Sequence, residues 1–260
     1  MIVVALVVAL VVDANYITAS ASSAQAFKTA TLLKTLNVNS LITGDIGVGK
    51  KSLASHILPN APIIDASNSD ELIAALDSVN EIIIPNLETS LNIKKILEIL
   101  SNNSIRVVAT SKSSYSNEFV DKFFSVKFDI PPLSQRTEDT KELIEKFTKE
   151  ASLLLCSKNT LKLKNFKPDL TQNAYSLRRQ VMIYSLLQDI TQDELMDISY
   201  NYLIDRLGSS SDYKNFLHLY EVPLIRAGFD KFKSQLQLSD RLGLNRNTLR
   251  KKIADNSKYL

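Results

Sequence analysis

The chain has 260 residues, 45% of them hydrophobic and 23% charged, with 6 Gly and 7 Pro. That length holds one large domain or two modest ones, and the composition excludes collagen-like, low-complexity and disordered classes. The net charge of +3 hides an asymmetry: residues 226–260 carry nine Lys/Arg against Asp230, Asp240 and Asp255, a surplus of six that leaves the preceding 225 residues three charges negative. A basic terminal module on a mildly acidic body is the footprint of a polyanion-binding segment.

In chain order, residues 1–14 form an apolar segment in which Ile2 to Val12 is unbroken by any polar residue. It is too short to span a bilayer, which takes about 20 residues, but long enough for the core of a signal peptide with Ala19-Ser20-Ala21 as the cleavage site. No Lys or Arg precedes it, and Val dominates it, which points to a buried strand or packed tail. A misassigned start and a signal or tether are the alternatives. No stable membrane association is expected.

Beyond it, short β-branched runs at 41–43, 62–65, 81–84, 105–110 and 126–130 alternate with amphipathic stretches at about 24–36, 50–57, 69–77, 90–102 and 116–124. That alternation predicts a doubly wound α/β layer with five buried parallel strands. Pro131-Pro132 closes the regime, and helical patterns follow at 137–156, 176–189 and 192–206. Gly208-Ser209-Ser210-Ser211 reads as a joint before the basic tail. The predicted organisation is an apolar segment (1–14), an α/β core (15–135), a helical lid (136–208) and an all-α terminal module (212–260).

Between the first strand and the next helix lies Gly44-Asp45-Ile46-Gly47-Val48-Gly49-Lys50-Lys51-Ser52. Glycines in such a turn let backbone N–H groups converge on phosphate oxygens at a helix N-terminus, and Lys50 reaches the outer phosphates. Gly44, Gly47, Gly49, Lys50, Lys51 and Ser52 are therefore candidate nucleotide-binding residues, the alternative being a Gly-rich turn that only packs. Lys51 stands where the motif has its metal-binding hydroxyl, and Ser52 comes one residue late. The strand at 81–84 ends in Pro85-Asn86, where a nucleotide hydrolase needs one carboxylate for magnesium and a second to polarise water. Hydrolysis then lacks its acids unless Glu88 reaches back from the loop, so no catalytic residue is assigned and the chain is not expected to act as an enzyme.

In the tail, Leu236, Leu238, Leu242, Leu244, Leu249 and Ile253 are spaced to pack two short helices across Leu242-Gly243-Leu244-Asn245. The second helix, capped by Asn245, presents Arg246, Asn247, Thr248, Arg250, Lys251 and Lys252 outward while Leu249 and Ile253, four apart, face in. Arginines at i and i+4 suit guanine edges and phosphates, and the paired lysines suit phosphates. Tyr213, Phe216, Tyr220 and Phe229 are read as packing for an extra helix or a dimer interface. The single Cys156 cannot form an internal disulfide, and with His56 and His218 it cannot fill a four-ligand zinc site, so no metal site is expected and a reducing cytoplasm is the simplest location.

Leu238-Ser-Asp-Arg-Leu-Gly-Leu-Asn-Arg-Asn-Thr-Leu-Arg-Lys-Lys-Ile253 closely resembles the Fis-type helix-turn-helix that ends the enhancer-binding activators of the NtrC family. The segment Gly44 to Ala54 is similar to that family's phosphate loop. Pro131-Pro132-Leu133-Ser-Gln-Arg136-Thr-Glu138-Asp139 resembles its junction between an AAA+ α/β core and the helical lid. The resemblance spans about residues 16–260. It implies a degenerate AAA+ P-loop core with a lid and an all-α Fis-type module, ATP or ADP as the ligand of the loop, Arg178 of Ser176-Leu-Arg-Arg179 as a phosphate contact, and Asn245, Arg246, Thr248, Arg250 and Lys251 as DNA contacts. Double-stranded DNA is the implied partner, with homodimerisation through the terminal module and a contact with RNA polymerase.

Several family features are absent. Only residues 66–79 separate the second and third predicted strands, where the family carries the loop that grips the alternative sigma factor. Ser111 stands for the family's polar asparagine sensor, and residues 116–127 contain no arginine to act as a trans finger. The expectation is a sequence-specific DNA-binding transcriptional regulator without ATP-driven sigma-factor remodelling. A nucleotide-sensing switch or adaptor with weak DNA binding, and an ATPase-active activator, are the alternatives.

Overall fold

The computed structural model describes residues 16–155, 166–188 and 190–260. The apolar run Ile2–Val12 and Cys156 lie outside the described residues. Two compact units divide between residues 189 and 190.

The first unit opens with α1 (Ala21–Thr35), begun where the Ser20 hydroxyl accepts the Ser23 N–H. It is followed by β1 (Ser40–Gly44), α2 (Lys50–Ile57), α3 (Ser69–Leu76), β2 (Glu81–Ile84), α4 (Ile93–Asn102), β3 (Arg106–Ser111), α5 (Glu118–Phe123) and β4 (Val126–Ile130). The four strands are parallel in the order β2-β3-β1-β4. Successive side chains point to opposite faces, so the continuous apolar runs of the strands fill two layers at once. Leu41, Ile82, Ile84, Val107 and Ala109 join Leu72, Leu76, Ile96 and Leu100 of α3 and α4 on one face. Ile42, Ile83, Val108 and Ile130 join Ala26, Ala30, Leu33, Leu53 and Ile57 of α1 and α2 on the other.

The fifth expected strand, at 62–65, is reduced to a single bridge, Ile63 to Ile83. The Ile83 N–H donates to Pro62 O (2.9 Å) and the Ile64 N–H to Ile83 O (3.1 Å), which places this segment beside β2. Pro62 supplies no donor and Asp65 turns the chain by accepting the Ser67 N–H (3.1 Å), so beyond the bridge one further bond, from the Ala66 N–H to Pro85 O (3.0 Å), joins this segment to the end of β2.

After the junction, α6 (Thr137–Leu154) and α7 (Ala174–Gln188) pack through Leu133, Phe147, Leu177 and Val181, as a lid on the same unit. The predicted third lid helix, α8 (Gln192–Ile204), belongs instead to the second unit and buries none of its residues. Its start is a capping box, with Thr191 and Glu194 each accepting the other's backbone N–H. The second unit continues with α9 (Asp212–Phe216), α10 (His218–Phe232), α11 (Gln235–Arg241) and α12 (Arg246–Asp255). Among the described residues no helix is long and apolar enough to cross a membrane.

Candidate functional site

The turn between β1 and α2 is a loop held from behind. Arg136 Nη2 donates to Val48 O (3.0 Å), Asn173 Nδ2 to Ile46 O (2.9 Å) and the Ala174 N–H to Gly47 O (3.1 Å). Asn173 is itself fixed by accepting the Leu133 N–H (2.7 Å). Three successive loop carbonyls are thus satisfied by the junction and the start of α7. Gly47 has φ +77, and a Cβ there would collide with the Gln172 carbonyl oxygen, so the position demands glycine on both counts.

Arg136 is the centre of a buried network. It and Asp139 are 2% and 1% exposed and form an ion pair of 3.2 Å. Arg136 Nη1 also donates to Ser23 Oγ (3.0 Å), while Asp139 accepts the Ser20 N–H (2.8 Å) and bonds from the Ser20 and Ser23 hydroxyls. The segment 131–139 singled out in the sequence thereby ties the start of α1, the phosphate loop and α6 together. Near this network, burial raises the Tyr16 pKa above its ordinary value.

In front of the loop lies a cavity of about 290 Å³. Gly47, Gly49, Lys50, Lys51 and Ser52 line it, as the motif requires, with Asp45 and Ile46 of the same loop. Gly44 contributes a carbonyl instead: Lys50 Nζ donates to Gly44 O (2.5 Å) and Asp45 O (2.7 Å). Burial holds the Lys50 pKa below that of an ordinary lysine, against the opposing pull of Glu88, Asp45 and Asp129 and with a further downward push from Lys112. Asn86, Glu88, Thr110 and Lys112 come from the ends of β2 and β3, and Ala174 and Tyr175 from α7. Arg178 does not line it; its guanidinium is engaged by Glu150 of α6 (Nη2 to Oε1, 2.5 Å; Nε to Oε2, 3.0 Å). Lys112, Thr110 and Tyr175 carried no sequence signal, because only the parallel register of β3 beside β1 and the docking of α7 bring them to the loop.

The residues after β2 do not fit the magnesium that accompanies nucleotide on such folds. The Pro85 side chain has no ligating atom, and its carbonyl accepts the Ala66 N–H (3.0 Å). Asn86, in the left-handed region at φ 53, gives its amide to Asp65 Oδ2 (2.6 Å). The Asp65 carboxyl, which burial pushes up, is held below its usual range by bonds from Ser67 and Asn86. Glu88 does line the cavity, and its Oε2 is buried without a hydrogen-bond partner, but Lys51 occupies the place of the metal-binding hydroxyl.

The second region is the three-helix core of the terminal unit. Ile225 of α10, Leu238 of α11 and Leu249 of α12 are buried together, with Phe229, Phe232, Leu242, Leu244 and Ile253 packed around them. Of the six apolar residues singled out in the tail, only Leu236 stays outside this cluster, at 45% exposed. Gly228 permits the contact of α10 with α11, since a Cβ there would overlap Leu238 Cδ1. The turn passes through Gly243 at φ +62, and Asn245 caps α12 by accepting the Asn247 N–H (2.8 Å). Asn245, Arg246, Asn247, Thr248, Arg250 and Lys251 are exposed. Lys252 differs: it is half-buried and ion-paired with Glu221 of α10. Leu195, Met196, Tyr200 and Tyr202 of α8 and Tyr213 and Tyr220 beyond it are also exposed. The two histidines are occupied locally, His56 beside Thr31 Oγ1 (3.1 Å) and His218 stacked on Tyr259 with ring centroids 4.8 Å apart.

Four parallel strands in this order, a glycine loop after the first and a helical lid on the same unit define the AAA+ P-loop α/β fold. No family model and no curated protein matches the sequence. Among solved structures, the chain is similar to NtrX from Brucella abortus, an NtrC-family regulator, in complex with ATP: TM-score 0.60 at 16% identity, over 93% of this chain and 69% of that one. The ADP complex of NtrX gives a TM-score of 0.58 at 17% identity, over 97% and 72% of the two chains. At these identities the likeness establishes the fold.

Proposed function

We propose that this chain is a sequence-specific DNA-binding transcriptional regulator whose AAA+ core binds ATP or ADP without hydrolysing it. The observation that carries the DNA reading is the two-sided build of α12: Leu249 is buried and Ile253 packed into the core, while Asn245, Arg246, Asn247, Thr248, Arg250 and Lys251 are exposed on a helix that follows a glycine turn. Such a helix fits the major groove, about 12 Å wide, with arginines suited to guanine edges. The Fis-type resemblance of residues 238–253 supports the same reading.

Support for nucleotide comes from the braced loop, the cavity in front of it and the ATP and ADP held by NtrX on the same fold. The replacement of the acidic pair by Pro85 and Asn86 argues against turnover. A homodimer is part of the proposal, because one such module buries too little surface for tight specific binding and the exposed apolar side chains of α8 call for a cover. A contact with RNA polymerase and a cytoplasmic location complete the reading.

The test is capture of genomic DNA fragments by the full chain at about 150 mM salt, where non-specific phosphate binding fades and base reading persists. Wild type enriches a two-fold-symmetric sequence. Arg246→Ala or Arg250→Ala weakens binding to that site by about 1–3 kcal/mol, and the double variant enriches nothing. Equal enrichment by the double variant removes α12 from the role. The cavity favours a second reading, a nucleotide switch with weak DNA binding, for which ATP raises the melting temperature while DNA capture shows no enriched sequence.

A further inference from the structure

We infer that the core cavity takes the polyphosphate chain of a nucleotide without a divalent metal ion, with lysines supplying the positive charge that a metal would bring. This rests on the nucleotide reading above and deepens it. Three lysines, Lys50, Lys51 and Lys112, line one cavity of about 290 Å³, against two acidic residues, Asp45 and Glu88. In a metal-dependent phosphate site the loop hydroxyl holds the ion and a carboxylate faces it from the end of the neighbouring strand. Here the hydroxyl's place is Lys51, and the strand's end is Pro85 and a neutral Asn86 whose Nδ2 donates to Asp65 Oδ2 (2.6 Å). The two positions that usually ligate the metal are replaced, and one of the replacements is itself a cation.

Lys112 completes the argument. It follows β3 directly, and β3 lies in register beside β1, with Thr43 opposite Ser111, which brings Lys112 to the same end of the sheet as the loop. Lys112 is close enough to act on Lys50, though Glu88, Asp45 and Asp129 act on it more strongly and in the opposite sense. Three lysines against two carboxylates leave the lining with a net positive charge, which attracts an anion. Lys50 meanwhile rests on its own loop carbonyls, Gly44 O and Asp45 O, in the way of a donor waiting for a better acceptor. Lysine binds phosphate as a point charge and needs no coordination geometry, so two or three of them replace an ion that demands an octahedron.

Glu88 is the counter-indication that makes the inference testable. Its buried, unpartnered Oε2 is a carboxylate oxygen open to a metal, and magnesium is held by as few as one carboxylate plus phosphates. Titration calorimetry on the full chain with ATP, ADP and inorganic tripolyphosphate, each in EDTA and in excess magnesium, decides between the two. The expected result is binding in EDTA within about threefold of that in magnesium, weakened about tenfold or more in Lys112→Ala and recovered in Lys112→Arg. Glu88→Gln is expected to tighten binding, because it removes a negative charge from the lining of an anion site. ATP binding that needs magnesium and is lost in Glu88→Gln overturns the inference and leaves the nucleotide reading standing. No heat and no shift in melting temperature with any ligand in either buffer overturns both. Tripolyphosphate binding as tightly as ATP assigns recognition to the phosphate chain, and ATP binding alone adds the nucleoside as a second determinant.

Discussion

The glycine loop and α12, the two elements proposed to bind ligands, are supported by opposite means. Behind the loop stand buried polar struts: a 1–2% exposed ion pair, two serines and an asparagine, each fixing an individual backbone atom of residues 46–48 or the segment that reaches them. Behind α12 stands a small apolar cluster of Ile225, Leu238 and Leu249, which fixes the helix as a body and leaves Arg246, Asn247, Thr248, Arg250 and Lys251 exposed. A site made of backbone N–H groups needs its carbonyls committed elsewhere, so polar bracing is the natural support. A site made of side-chain ends needs only a stable platform. Each construction has its own point of failure.

The sharpest way to break the first is Arg136→Met. It leaves Asp139 buried with its charge partner removed and Val48 O without its donor, a loss expected at about 3–5 kcal/mol. Chemical denaturation followed by circular dichroism should show the first unit unfolding at much lower denaturant, while the helices of the second unit keep their own transition. Arg136→Met with Asp139→Asn should recover part of the loss, because the unpaired charge is gone. A single variant within about 0.5 kcal/mol of wild type would show that the network carries no weight in holding the loop.

The different supports also explain what was legible in the sequence. Strands β1, β2, β3 and β4 and the helices between them follow from apolar runs alternating with amphipathic stretches, because burial on both faces of a parallel sheet writes itself into composition. The segment 62–65 departs from the expectation for the same reason: Ile63 and Ile64 satisfy the pattern, while the donor that Pro62 lacks and the turn at Asp65, which shorten the pairing, are not apolar signals. Helix α8 shows the reverse. Its pattern reads as lid, yet it lies in the second unit with every residue at least partly exposed, since periodicity states that a helix has an apolar face and not what covers it. At the site, the loop residues were readable because they are contiguous. Lys112 and Tyr175 were not, because the fold assembles them from positions 60 and more residues away. Lys252 looked like its neighbour Lys251 until its contact with Glu221, 31 residues earlier, came into view.

On the apolar side, Gly228→Ala is the corresponding break. A methyl group there overlaps Leu238 Cδ1, and Leu238 is fully buried with little room to turn, so overpacking should cost about 1–3 kcal/mol. The loss should fall on the second unit alone, lowering DNA affinity through the folded fraction while nucleotide binding by the first unit stays at wild-type strength. If nucleotide binding fell equally, the contrast between two independently supported sites would not hold.

The smallest effects separate two adjacent lysines. Lys251 is exposed, so Lys251→Ala should weaken DNA binding about equally for every sequence and reduce the salt slope of binding by about 1, with no change in stability. Lys252 is held by Glu221, whose side chain is 14% exposed and also accepts from Asn256 Nδ2 (3.4 Å). Its replacement by Ala should cost up to about 1 kcal/mol of stability and leave the salt slope of DNA binding where it was. Glu221→Gln discriminates further: with the carboxylate neutralised, Lys252 is released toward solvent, and a gain in DNA affinity in that variant, lost again on adding Lys252→Ala, would show that the ion pair withholds a phosphate contact from the surface of α12. A salt slope that falls by about 1 in Lys252→Ala alone, with Glu221 intact, would mean instead that the lysine leaves its partner for DNA, and the platform behind α12 would then include fewer polar ties than its geometry in the free protein displays.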